Sequence, residues 1–203
     1  DIYYQISGEG FPIVFLHGNG EDHHIFDQAV LQLSKQYQCI CIDSRYHGQS
    51  IHAGELSYQQ MAKDVMGVVD ELKLEAYDII GFSDGAIIAL LLAQCDLRLK
   101  HVVSIGANTK PCYIKSFYRL TFYLQMLCLA VFALYQKKAR LTLKLYRLML
   151  TQPQIEYQQL HQIRIPVLIL AGEFDMIKEY DTKQIAKALP YGIQKIIKHG
   201  NHF

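Results

Sequence analysis

Ser83 stands at the centre of Gly81-Phe82-Ser83-Asp84-Gly85, a G-x-S-x-G pentapeptide that follows one apolar run and opens another. This context suits a nucleophile. The flanking glycines let the chain turn sharply without a Cβ clash and lift the hydroxyl above a sheet edge. A helix starting at Asp84 would aim free N–H groups and its positive dipole end at the reacting centre. A serine hydroxyl alone is a weak nucleophile and needs a base held by an acid. Two later loops offer both. Ala171-Gly172-Glu173-Phe174-Asp175 supplies Asp175 as the orienting acid, with Glu173 as the alternative, and His199-Gly200-Asn201-His202-Phe203 supplies His202 as the base, with His199 as its rival. An earlier glycine loop, His17-Gly18-Asn19-Gly20, can direct a backbone N–H at a developing oxyanion, with the N–H of Asp84 as partner donor. A plain tight turn is the competing reading of that loop.

Neighbouring polar residues read as supports. Asp84 could be pictured as the nucleophile of a dehalogenase, but an elbow presents its central side chain, which is Ser83. Asp84 is therefore helix-start chemistry, close enough to touch a substrate. Asp43 and Arg45 read as loop-fixing residues, and His23 and His24 as solvated helix-start residues more than as ligands. No His, Asp or Glu cluster has the short-range spacing of a metal site, so neither a metal nor a cofactor is expected.

The elements that must position these loops are short apolar runs at 12–16, 39–42, 77–80, 101–105, 167–170 and 193–197, preceded by a loosely alternating segment at 1–7. Gly8-Glu9-Gly10 between the first two reads as a hairpin-type turn. Helical spacing falls between the runs, at 25–33, 58–72, 85–95 and around 185–189. Strands alternating with helices imply an α/β fold, a doubly wound and mostly parallel sheet, with the reactive loops gathered at one sheet edge. One stretch breaks the rhythm. Residues 108–156 are helix-forming and rich in Leu, Tyr and Phe, and are expected to form an inserted helical cap, leaving 1–107 and 157–203 as the core. The uncharged run 120–135 falls short of the ~20 residues needed to cross a bilayer.

With 51% apolar residues, 19% charged residues and a net charge of +1, the chain is expected to bury a sizeable core and to have no special affinity for nucleic acid. Five cysteines form no disulfide-like framework. Cys39 and Cys41 share one strand face, and no C-x-x-C spacing supports zinc, so reduced cysteines in a cytoplasmic protein are expected. The chain opens at Asp1 directly on a strand-like segment, and no signal peptide is expected in it.

The HGNG loop, Asp43-Ser44-Arg45-Tyr46-His47-Gly48-Gln49-Ser50 (close to D-x-R-G-x-G-x-S), the serine pentapeptide, Gly172-Glu173-Phe174-Asp175 and Gly200-Asn201-His202-Phe203 together resemble the α/β-hydrolase superfamily. The branch is that of small esterases, lactonases, carbon–carbon bond hydrolases and prolyl aminopeptidases, and the resemblance runs from Ile2 to the last residue, cap excluded. It implies a catalytic triad of Ser83, Asp175 and His202, and an oxyanion hole made by the backbones of Asn19 and Asp84. Tyr46 stands where the family prefers glycine, so that loop is expected to follow a different path. Family members continue past the position of Phe203 into a helix packed on the sheet, which would steady the His202 loop.

The expected activity is hydrolysis of a small carboxylic ester, thioester or lactone through an acyl-enzyme on Ser83. An amide or carbon–carbon bond hydrolase with the same triad, and a non-catalytic binding member of the fold, are the alternatives. Gly18, Phe82, Tyr118 and Phe122 are the candidate substrate contacts. Tyr123, Leu127 and Phe132 are expected with Tyr118 and Phe122 either to line an acyl pocket or to pack the cap on the core. From 97 to 154 there are ten Lys or Arg residues and no Asp or Glu. They read as a solvated basic face, or as a preference for anionic substrates or an anionic membrane surface, and they argue against a substrate ammonium group.

Overall fold

The computed structural model describes residues 1–50 and 54–203. Seven strands form one sheet: β1 (Tyr4–Ser7), β2 (Phe11–Leu16), β3 (Tyr37–Ile42), β4 (Tyr77–Phe82), β5 (Leu99–Ile105), β6 (Val167–Gly172) and β7 (Gly192–Ile197). The helices are α1 (Asp27–Leu33), α2 (Tyr58–Glu71), α3 (Asp84–Leu92), α4 (Ser116–Phe132), α5 (Lys137–Thr151), α6 (Tyr157–Leu160) and α7 (Glu179–Ala188). A 3-10 turn, His23–Phe26, leads into α1.

The strand order is β1-β3-β2-β4-β5-β6-β7, parallel except for β1. The turn at 8–10 is therefore not a hairpin. β1 pairs antiparallel with β3 (Tyr4 opposite Ile42, Ser7 opposite Cys39), and β3 lies between β1 and β2. The reason is burial. β2 and β3 are apolar on both faces and take inner positions, whereas the half-exposed β1 tolerates the edge. Gly8 (φ +78°) lets the connection pass the carbonyls of Ser34 and Tyr37, where a Cβ would clash.

Alternation along β2 divides the core. Ile13 and Phe15 pack with Phe26, Cys39, Cys41 and the α1 residues Val30 and Leu33. Val14 and Leu16 join the larger cluster built on α2 and α3. α3 is apolar all round and almost wholly buried, as a central helix must be. Among the described residues no helix is long and apolar enough to cross a membrane.

The order in which strands are added reverses between β2 and β4, since β3 lies to one side of β2 and β4 to the other. Ligands of open α/β sheets bind at such a switch point, beyond the carboxyl ends of the strands. The glycine loop after β2 and the serine turn after β4 both emerge there. Between β5 and β6 the chain forms α4 and α5. On α4, Tyr118 and Phe122 pack against Ile114, Met176 and Ile177. Tyr123, Leu127 and Phe132 are 49%, 71% and 55% exposed, so they neither line a pocket nor pack this segment on the core. Positions 118 and 122 lie one turn apart on the inner face, Tyr123 and Leu127 fall on the outer side, and Phe132 is the last residue of the helix, beyond these core contacts.

Candidate active site

Ser83 joins β4 to α3 with φ 52° and ψ −112°, a backbone that L-residues avoid. The turn is held by the Ser83 N–H donating to the Ile105 carbonyl at 2.8 Å. Both flanking glycines are required by close approach. A Cβ at Gly81 would strike the Gly85 backbone, and one at Gly85 would strike the Leu16 carbonyl at the end of β2. The tight elbow is thus wedged between the central strand and its neighbour.

The loops after β6 and β7 meet over this hydroxyl. His202 Nε2 lies 3.0 Å from Ser83 Oγ, and His202 Nδ1 lies 2.7 Å from Asp175 Oδ1. A carboxylate beside Nδ1 keeps a proton on that nitrogen, which leaves the Nε2 lone pair to accept from the serine hydroxyl. Asp175 Oδ1 also accepts from the Ile177 N–H at 2.8 Å. Both His202 and Asp175 are buried. The two loops are clipped together by Phe174 N–H to the Gly200 carbonyl at 2.8 Å and Glu173 N–H to the Ile197 carbonyl at 3.0 Å. Phe82 lies against the imidazole, ring centroids 5.2 Å apart.

The rival acid and base are drawn away. Glu173 accepts from the backbone N–H of His199 at 2.9 Å, and the His199 ring stands 87% exposed on the surface. Gly106, at the end of β5, lies under the imidazole and was not singled out by the sequence. With φ +69°, a Cβ there would stand 2.8 Å from His202 Cε1. One glycine after an apolar run carries no signal of its own, because its neighbour across the sheet is set by strand order.

The glycine loop after β2 runs against the serine. A Cβ at Gly18 would stand 3.1 Å from Ser83 Cβ, and the Gly18 N–H donates to Glu21 Oε2 at 3.0 Å. The side chains of Asn19 and Asp84 are joined, Nδ2 donating to Oδ2 at 3.0 Å, and the fully buried Tyr58 donates to Asp84 Oδ1 at 2.7 Å. The Asp84 carboxylate is thus buried and engaged rather than presented to a substrate. Burial raises its pKa above the usual carboxylate range, partly offset by these two hydrogen bonds.

The supports behave as loop fixers. Asp43 accepts from the N–H groups of His23 and Gln49, both at 2.9 Å, and lies 2.8 Å from His23 Nδ1. Arg45 makes a two-pronged bond to Asp64, both contacts at 2.6 Å. Tyr46 adopts φ +68°, so the loop keeps the left-handed turn that glycine favours instead of leaving it. His23 is buried, not solvated, because the Asp43 carboxylate draws it inward. Among the described residues one trio, Asp22, His23 and His24, has potential ligand atoms within 4.8 Å of one another, closer than sequence spacing suggests. His17 Nε2 accepts from the Ser44 N–H at 3.0 Å, and burial together with nearby His47 pushes its pKa down to about 4.

A cavity of about 180 Å³ opens on Ser83 and His202 and is lined by Asn19, Glu21, Phe82, Phe122, Tyr146, Met149, Met176 and Phe203. Glu21, Tyr146, Met149, Met176 and Phe203 are additions to the sequence reading, and of the four expected substrate contacts Phe82 and Phe122 line the cavity whereas Gly18 and Tyr118 do not. No Lys or Arg does either, and burial raises the pKa of Glu21. The cations of 97–154 face elsewhere.

A serine, histidine and aspartate drawn together by three strand-end loops on a doubly wound sheet define a recognisable class of protein. The chain belongs to the α/β hydrolase fold family, whose model matches residues 12–127. It is 37% identical over 90 residues to 3-oxoadipate enol-lactonase 1 of Acinetobacter baylyi, covering 43% of this chain and 34% of that protein. The match spans about a third of the length of such curated relatives. Among solved structures, bromoperoxidase from Bacillus anthracis superposes with a TM-score of 0.79 at 21% identity, covering 99% of this chain and 88% of that one. The enol-lactonase from Burkholderia xenovorans LB400 gives 0.74 at 18% identity, covering 97% and 87%.

Proposed function

We propose that this chain is a serine hydrolase that cleaves a carboxylic ester, thioester or lactone of a small, largely apolar acyl substrate. Ser83 Oγ attacks the carbonyl carbon while His202 Nε2 takes its proton. The same nitrogen returns the proton to the departing oxygen or sulfur, and a water molecule then releases the acid from Ser83 by the reverse relay. Asp175 holds the imidazole in the required tautomer. The backbone N–H groups of Asn19 and Asp84 receive the negative charge of the tetrahedral intermediate, each worth ~2.7–4 kcal/mol in the transition state. The Asn19–Asp84 side-chain bond keeps the two donors in register. Residues 108–156 serve as the lid, with Phe122, Tyr146 and Met149 against the acyl group.

The observation that carries this reading is the unbroken relay from Asp175 through His202 to Ser83, at 2.7 and 3.0 Å. The apolar lining supports an uncharged acyl group, and Glu21 in the cavity disfavours a substrate carboxylate there. Esterase and lactonase relatives support ester chemistry. The test is labelling with a fluorophosphonate probe, followed by a panel of short- and long-chain p-nitrophenyl esters. A covalent adduct at Ser83, absent in Ser83→Ala, is expected. An unlabelled Ser83 in the folded protein would leave a non-catalytic binding member of the fold.

A further inference from the structure

The outer face of α4 is apolar and bare. Phe117, Leu120, Leu124, Leu127 and Val131 are between 54% and 72% exposed, and Leu134 and Tyr135 continue the surface beyond the helix. No residue of α4 is fully buried. At 3.6 residues per turn these five form a stripe roughly 80° wide, which exposed Tyr123 on one side and Phe132 on the other widen to roughly half of the helix circumference. That arc is wider than the narrow seam by which one helix docks on another. Surfaces of this kind mark binding sites.

A second feature follows in the chain, where α5 starts five residues after α4 ends. A cleft of about 500 Å³ is lined by Tyr46, Lys137, Lys138, Arg140, Leu141 and Lys144. It sits over the first turns of α5, whose N-terminus has no side-chain cap and no acidic residue in its first turn. Free N–H groups, the positive dipole end and four cations therefore converge on one cleft. The absence of any acid from 97 to 154 leaves this charge uncompensated along the segment.

We propose that α4 and the cleft at the start of α5 form a docking surface for an anionic phospholipid bilayer. The apolar arc of α4 lies in the interface with its axis along the membrane plane, and the cations hold lipid phosphates. Charge complementarity selects this occupant over a second copy of the chain, which would bring two acid-free basic segments together. At 17 residues α4 is too short to span a bilayer, so the contact is peripheral. The inference goes beyond the hydrolase reading and does not depend on it. If both hold, the bilayer lies on the side of the molecule that carries the lid.

The chain contains no tryptophan, so Leu127→Trp provides a fluorescence reporter without background. Vesicles of phosphatidylcholine alone are compared with vesicles of phosphatidylcholine and phosphatidylglycerol. A blue shift of Leu127→Trp and co-sedimentation of the wild-type chain are expected with the anionic vesicles only. Lys137→Glu with Lys138→Glu is expected to weaken binding at least twenty-five-fold, taking about fivefold for each cation removed from the surface. Leu124→Glu is expected to abolish insertion while leaving the circular dichroism spectrum and thermal unfolding of the free chain unchanged. Equal binding to both vesicle types, or no binding, overturns the proposal. So does a dimer that Leu124→Glu converts to monomer, which would make this face a contact between copies.

Discussion

Replacing Ser83 by glycine and by alanine separates the backbone cost of the elbow from its chemistry. Both variants lose the hydroxyl and its contact with His202, so that loss cancels between them. They differ in the backbone. The pair φ 52°, ψ −112° lies outside the regions open to an L-residue, so alanine keeps a strain of roughly 2–3 kcal/mol that glycine does not carry. Against this, glycine sacrifices a half-buried methyl, roughly 0.4 kcal/mol, and adds freedom to the unfolded chain, roughly 0.7 kcal/mol. Ser83→Gly should therefore be more stable than Ser83→Ala by about 1–2 kcal/mol. In a chain of 203 residues that corresponds to a melting temperature higher by roughly 2–8 °C. Differential scanning calorimetry with matched urea titrations measures it, and esterase assays should find both variants inactive. A glycine variant no more stable than the alanine variant would show that the elbow holds no strain, and the argument for a stored conformational cost would fail.

Gly106→Ala places a methyl 2.8 Å from His202 Cε1 and is expected to push the imidazole off Ser83. Its kcat/KM should fall about a hundredfold with circular dichroism unchanged, and an unaltered labelling rate at Ser83 would count against the packing argument. Tyr58→Phe leaves the buried Asp84 carboxylate with Asn19 as its remaining side-chain partner among the described residues, and should cost about 2 kcal/mol near neutral pH. Because the Asp84 pKa is already raised, that penalty should shrink as acid neutralises the carboxyl, so the gap between variant and wild type in urea titrations narrows at low pH. His17 has a pKa lowered to about 4 from 6.5, so the unfolded chain takes up its proton first as pH falls. Its contribution, roughly 3 kcal/mol, is complete above pH 6.5 and lost progressively toward pH 4. An NMR titration of the His17 ring midway near 6.5 would contradict this.

The apolar runs of β2, β4 and β6 announced inner parallel strands because burial on both faces leaves a continuous hydrophobic record. The glycine loop, the serine turn and the Asp175 loop were legible for the same reason, since each directly follows such a run. The His202 loop instead follows the half-exposed edge strand β7 and was legible from its own Gly-Asn-His-Phe residues. What escaped was set by contacts between distant segments. Nothing local in residues 1–10 says that β3, and not β2, lies beside β1. Nor does any pattern tie Tyr58 to Asp84, or Gly106 to His202. The burial of His23 follows from Asp43, twenty residues away, and from nothing in its own neighbourhood. α4 is apolar on every side, so its periodicity could not tell which face meets the core, and the choice falls to Met176 and Ile177 on a later loop.

The serine and histidine that touch are 119 residues apart in the chain, and the strands beneath them are parallel. Such pairings close late, because the entropy of the intervening loop must be overcome before the contact gives anything back. Catalytic competence is therefore among the last properties acquired during folding. In a refolding experiment helical signal should return first, and turnover of an ester should lag behind it, making activity a timer for completion of the sheet.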